Sequence, residues 1–347
     1  MAIQKAYLNY KNMSKRILWV DVVKGLLMLA VILGHAIQEP LKVRGIEFEN
    51  NIWRNIIYSF HMPAFMAMSG YLMYRPNSSG GKYLSSIYKR FKQLIIPFFL
   101  WSIPLFFVYH NVDNIWDYLL LPKYGYWFLW ALFFINVIYT FIDWVCKKNQ
   151  INKELMIGIT ALGLIGCQFV LPNAKLFGYE YVAFYFIFYM MGYYANKYKE
   201  GLPRKGSILW LLFVIWAIMS LFWTPNGVPF FLKDIPFVPT KIVQMGYRIL
   251  TPIIFIIWMY AAATKLKVSD SYIWKILIEL GQISLGLYTV HMVVKNLFAK
   301  ILLDVIPTWP IWIHTVIEFV VLTVFSFFIV RLLLRWRVTS KWLLGKV

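Results

Sequence analysis

Residues Arg16–Ala36 read RILWVDVVKGLLMLAVILGHA. The stretch is almost wholly apolar and about as long as the ~20 residues a helix needs to cross a bilayer core. It nevertheless carries Asp21, Lys24 and His35. A Lys at membrane depth costs roughly 2.5–3.5 kcal/mol on insertion scales, so its retention calls for a partner or a watery cavity. Eleven residues at ~100° each return Lys24 and His35 to nearly one helical face. Asp21 lies one turn before Lys24 on the same stripe. At 1.5 Å per residue the two basic groups are roughly 16 Å apart along the axis, so a polar track could join the two sides of the membrane. The plainer reading makes Asp21 and Lys24 an i,i+3 pair that snorkels, and His35 an interfacial residue beside Glu39.

The rest of the chain repeats the apolar theme. Of 347 residues, 61% are hydrophobic and 14% charged, with 16 Trp, 23 Tyr and 28 Phe; this composition excludes a soluble domain of such length. Breaking the apolar runs at charged or Pro/Gly-rich stretches predicts an all-α, polytopic membrane bundle of about ten transmembrane helices. Their approximate cores are 17–37, 53–74, 93–109, 126–144, 155–171, 179–196, 207–223, 248–264, 278–298 and 311–334. No polar segment is large enough to fold separately. One domain is therefore expected over 1–347, with an N-terminal segment 1–16, a bundle 17–334 and a tail 335–347.

Most of the 35 Lys and Arg fall into alternate connections. Placing the N-terminus inside puts Lys5, Lys11, Lys15 and Arg16, the loop from Arg75 to Lys92, and the later clusters around Lys147, Lys199, Lys267 and Arg335 in the cytoplasm. Only Lys42, Arg44, Lys123, Lys175, Lys233, Lys241 and Lys300 are left outside. The positive-inside bias then predicts both termini cytoplasmic. The same scatter argues against nucleic acid as the partner of the +20 net charge. Trp53, Tyr126, Trp127, Trp309 and Trp312, near span ends, are expected in the interfacial aromatic belt. Cys146 and Cys167 form no CxxC pair and suggest neither a disulfide nor a zinc site. The first run lacks a small-residue cleavage site and reads as a retained anchor.

Several motifs, in order along the predicted spans, resemble the integral-membrane acyltransferase-3 family. The family's mark is Arg or Lys, ten residues, then His in the first helix, and Lys24 and His35 match it. FHMPAFMAMSGYL (Phe60–Leu72) resembles the family's Pro-aromatic stretch with a Ser-Gly pair, and KRFKQLIIPFFLW (Lys89–Trp101) its basic start of the third helix. WFLWALF (Trp127–Phe133) and ISLGLYTVH (Ile283–His291) are weaker echoes. The resemblance implies an enzyme of a bacterial cytoplasmic membrane that moves an acyl group, acetyl foremost, from acyl-CoA to a hydroxyl of an envelope or lipid-linked glycan. It implies no permanently bound cofactor, acetyl-CoA being a substrate. Two departures stand out: Lys24 replaces the commoner Arg, and no esterase-like domain follows the last helix, so transfer would finish within the membrane domain or need a separate partner.

O-acylation needs a base for the hydroxyl proton and donors for the developing oxyanion. Histidine, with an ordinary pKa of about 6.5, is suited to the first task, and His35 is the expected general base. Lys24 is a candidate for the donor's phosphopantetheine arm. His61 either approaches His35 across the bundle or hydrogen-bonds between helices. Arg90 is a candidate for the coenzyme's phosphates, and Ser69 is a further substrate-binding candidate, beside a Gly70 that permits close packing. Ser284, Tyr288 and His291 recur at i, i+4 and i+7, a stripe that either lines the acceptor side or satisfies itself between helices. His314 and Glu318, at i,i+4, read as a local pair. No phosphate loop, GxSxG elbow or metal-ligand cluster is present. Pro172–Tyr181 and Trp223–Pro239 are candidates for a sugar-binding mouth. The rival function is a transporter or flippase of a lipid-linked sugar, weakened by the lack of a repeat between halves or paired broken helices.

Overall fold

The computed structural model describes residues 17–48, 51–74, 83–109, 125–170, 176–233, 235–236, 238–305 and 309–346. Among them there are helices and no strands. The first is α1, Leu18–Val43. It is followed by α2, Ile52–Tyr58, and α3, His61–Met73. Next come α4, Tyr83–Arg90, a π-helical turn, Phe91–Ile95, and α5, Ile96–Tyr109. Then follow α6, Trp127–Asn149; α7, Lys153–Val170; α8, Tyr179–Lys197; and α9, Gly206–Leu221. The last are α10, Thr240–Ala263; α11, Tyr272–Gln282; α12, Ser284–Val305; α13, Ile311–Leu333; and α14, Arg337–Trp342. Each apolar run read from the sequence is helical over most of its described residues.

Among the described residues, six helices are long and apolar enough to cross a membrane: α1, Tyr83–Phe107, α6, α7, α10 and α13. A seventh span arises if α11 and α12 are taken as one crossing. The tyrosine-rich α8 and the 16-residue α9 fall outside that group. The protein is a multi-pass membrane protein, and the outer surfaces agree: Leu162 and Val170 of α7, 73% and 78% exposed, offer bare hydrocarbon to the surroundings.

Two expected spans are broken, which corrects the single helices read at 53–74 and 278–298. Between α2 and α3 the chain leaves helical geometry at Phe60. Pro63 explains this, since its ring clashes with the carbonyl four residues earlier, at Ser59, and it has no N–H to offer. The helix restarts at His61 with Pro63 in its first turn, where the missing donor costs little. Between α11 and α12 the axis bends by 79°, just after Gly281. Glycine is a poor helix former, and here its lack of a side chain is put to use: a Cβ on it would lie 1.8 Å from the Asp21 carbonyl oxygen.

That close approach is reciprocal. A Cβ on Gly25 of α1 would fall 2.2 Å from the Leu277 carbonyl oxygen of α11. The same device joins α3 to α8, where Cβ atoms on Gly70 and Gly192 would each lie 1.8 Å from a carbonyl oxygen of the facing helix, those of Tyr189 and Ala67. Glycines that let backbones touch are a main source of packing energy in lipid, where helix association gains nothing from the hydrophobic effect. Gly70 thus has the packing role expected of it.

A third irregularity shapes the centre. Pro97 has no N–H for the Gln93 carbonyl and displaces the preceding turn. The Ile96 N–H instead reaches back to the Phe91 carbonyl, closing the π turn. Tyr126, expected at the interface, is fully buried and donates to the Thr289 carbonyl at 2.7 Å. Trp53, Trp309 and Trp312 are exposed, as a belt requires.

Candidate active site

Three irregular places converge on one cavity of about 240 Å³. Lys24 reaches it from α1 and Ser69 from α3, while the π turn supplies Arg90, at its N-cap, and Gln93. Ser284 and Tyr288 come from the start of α12, immediately after the bend. Phe65, Phe128 and Leu132 give it apolar walls, and Gly345 of the C-terminal segment closes one side. A slot with a cationic rim and an apolar body suits a ligand that has an anionic head and a thin, uncharged arm.

The polar groups of the rim are tied down locally. Lys24 lies 3.7 Å from Asp21, so the i,i+3 pair exists, yet Lys24 also lines the cavity. Arg90 Nη1 donates to Gln93 Oε1 at 3.2 Å. Asn136, also in the wall, donates to the Leu132 carbonyl and accepts from the Tyr189 hydroxyl at 3.0 Å. Ser69 donates to the Phe65 carbonyl of its own helix at 3.1 Å. Gln93 and Asn136 escaped the sequence reading, although a lone Asn within FFINVIYTF is a signal of the kind that singled out Lys24.

Tyr288 connects this cavity to a second group. Its ring lies 5.6 Å from Phe128 and 5.9 Å from His291, and His291 in turn lies 5.3 Å from His35. One turn further, Glu39 and Lys295 form an ion pair at 3.0 Å, with side chains 8% and 4% exposed. Lys24, His35 and Glu39 on α1 therefore run beside Ser284, Tyr288, His291 and Lys295 on α12. The order is the same on both, so the helices lie parallel, with two polar stripes leading from the cavity to the ion pair.

His61 Nδ1 is 2.7 Å from the Ile57 carbonyl oxygen and its ring meets Tyr58 edge-on at 4.8 Å. It thereby caps α2 across the break. It also belongs, with Lys295, His291 and Arg54, to the ionisable groups whose charge reaches His35. Arg54 is itself buried over the Tyr58 ring at 4.0 Å. His314 and Glu318 are buried but do not pair: His314 Nδ1 and both Glu318 carboxylate oxygens are without hydrogen-bond partners, which corrects the local pair expected.

Residues 17–335 match the sequence profile of the Acyltransferase domain of the acyltransferase-3 family. The chain belongs to this acyltransferase family. Among curated relatives, the acyltransferase is 25% identical over 309 residues to the nodulation protein NolL of Sinorhizobium fredii, covering 82% of this chain and 79% of that protein. It is 27% identical over 213 residues to the NolL of Mesorhizobium japonicum, covering 57% and 52%. No solved structure matches the chain.

Of the residues that the family motifs single out, the acyltransferase brings Lys24, Ser69, Arg90 and Tyr288 to one cavity and sets His35 beside His291. Arg75 and Lys82, counted among the cytoplasmic cations, and the stretch 172–175 of the first candidate mouth lie outside the described residues. No group of three or more His, Cys, Asp or Glu able to hold a metal occurs among the described residues. Cys146 is buried and Cys167 exposed, both free.

Proposed function

We propose that this membrane acyltransferase takes an acyl group, acetyl foremost, from cytoplasmic acyl-CoA and places it on a hydroxyl of an envelope or lipid-linked glycan. The observation that carries the reading is the continuity from a cavity with a Lys24 and Arg90 rim, through Tyr288, to the histidines. The rim suits the coenzyme's phosphates, and the apolar walls suit the pantetheine arm. His35 then receives the acceptor's hydroxyl proton as the oxygen attacks the thioester carbonyl. The positive-inside pattern supports placing the Lys24 end of the cavity at the cytoplasm and His35 toward the outer face.

The test is acyl transfer by the purified protein, given radiolabelled acetyl-CoA and an envelope glycan extract. Label should pass to glycan with the wild type and not with His35→Ala or His35→Gln, both checked for membrane insertion. Retained transfer in either variant removes His35 from the mechanism. The broken segments at Phe60 and Ile283 favour one second reading, because interrupted helices also build the binding sites of transporters. Translocation of a lipid-linked sugar with no donor consumed would support it.

A further inference from the structure

His35 and His291 each carry a buried nitrogen without a hydrogen-bond partner, on rings 5.3 Å apart. His291 Nδ1 sits 2.8 Å from the Leu287 carbonyl oxygen, which only accepts, so this nitrogen carries the proton and Nε2 is a bare lone pair. His291 is fully buried, and that Nε2 has no hydrogen-bond partner. On the neighbouring ring, His35 Nδ1 is likewise buried and unpartnered, although His35 as a whole keeps an accessible edge. A buried nitrogen without a partner forfeits its solvation for nothing, and two on adjacent rings are a donor and an acceptor short of one bond.

The spacing leaves room for that bond. Two imidazoles joined by an N–H···N contact of about 3 Å, with each nitrogen about 1.1 Å from its ring centre, have centroids about 5.2 Å apart. The observed separation is 5.3 Å, with the planes 43° apart; the two nitrogens are not bonded to each other here, so the bond closes when the rings turn as the acceptor enters. The parallel run of α1 and α12 holds the rings together, and the Glu39–Lys295 pair at 3.0 Å fastens the next turn.

We infer that His291 is the positioning residue of the general base: its Nε2 accepts from His35 Nδ1–H and so fixes the tautomer in which His35 Nε2 presents its lone pair to the acceptor. The inference rests on the reading of His35 as the base. As the acceptor oxygen bonds to the thioester carbonyl carbon, its proton moves to His35 Nε2 and the C–S bond breaks. The same proton then passes to the departing thiolate, leaving an ester, a free thiol and a neutral His35. His291 touches no reacting atom. It orients the ring and steadies the transient imidazolium through the Nδ1–H bond, as the third member of a catalytic triad does.

The experiment compares His291→Leu, His291→Gln and His35→Ala in the full chain, with acetyl-CoA as donor, an envelope glycan extract as acceptor and free thiol as the readout. His291→Leu should lose on the order of 100-fold in kcat with an unchanged KM for acetyl-CoA. His291→Gln, whose Oε1 can accept near the position of Nε2, should stay within about 10-fold of wild type. Equal losses in Leu and Gln, or a loss confined to KM, would overturn the inference. An inactive His35→Ala beside a fully active His291→Leu sinks the positioning role alone, whereas an active His35→Ala sinks the base itself. Should His291→Leu fail to fold, the ring-nitrogen resonances of 15N-histidine wild-type protein decide, since a neutral His35 protonated on Nε2 contradicts the assignment.

Discussion

Lys24 has two neighbours to answer to. Its ammonium is 3.7 Å from Asp21, and the residue at the same time lines the cavity. If it holds the donor in the ground state and transition state alike, Lys24→Met should raise the KM for acetyl-CoA about 10-fold and leave kcat near wild type; an unchanged KM would remove it from donor binding. Glu39 and Lys295 make the opposite case, a pair almost wholly out of contact with solvent. Lys295→Met alone should cost about 3–5 kcal/mol, because a buried carboxylate is left uncompensated. The double variant Glu39→Gln/Lys295→Met should recover part of that, as read by thermal unfolding in detergent. At this scale the sequence disclosed the stripe on α1, because helical periodicity is a local property. It did not disclose that Glu39 meets Lys295 or that His35 meets His291, because a contact between distant segments leaves no periodic trace in a single chain.

The elements were legible as apolar lengths, but their interruptions were not. Pro63 and Pro97 stood in view, yet only the fold shows that the first divides a span into α2 and α3 while the second makes a π turn that turns Arg90 and Gln93 toward the cavity. Gly281 likewise gave little warning, since a glycine at a bend and a glycine in a straight, tightly packed helix look alike in sequence. The four reciprocal glycines invite a direct comparison. Gly192→Val and Gly281→Val place new atoms against a facing backbone carbonyl that cannot move aside, so each should cost about 3 kcal/mol or more and abolish a monodisperse peak in size-exclusion chromatography. Gly158→Ala, where an added Cβ meets nothing within 4 Å, should be neutral or stabilise by up to about 1 kcal/mol. Equal behaviour of the two classes would refute the close-packing account.

Across the whole molecule, the charge bias makes a claim about sidedness that cysteine labelling can check. In a Cys146→Ala/Cys167→Ala background, a membrane-impermeant thiol reagent applied to intact cells should label Trp309→Cys and spare Tyr272→Cys; both positions are exposed. Labelling after lysis should reach both, and the reverse pattern would invert the proposed orientation. The same scale holds the number of crossings, which hydropathy alone overstates in certainty: α3, α8 and α9 have helical form at the expected places, but they are shorter or more polar than a free-standing span. Their partners make them tenable, α3 and α8 being joined backbone to backbone at Gly70 and Gly192.

Gly345 adopts φ +62, and a Cβ on it would strike the Gln93 carbonyl oxygen at 2.3 Å. Beside it the Leu343 carbonyl accepts from the Trp101 indole at 2.8 Å, and Leu344 is buried. The turn at Leu343–Gly345 is therefore wedged against the Gln93 carbonyl of the π turn. An affinity handle or fluorescent reporter fused to the carboxyl-terminal segment would hang beside the doorway where the acyl donor is proposed to arrive. Purification handles should go on the amino end, and any kinetic comparison made with a carboxyl-terminal fusion would measure the ornament as well as the enzyme.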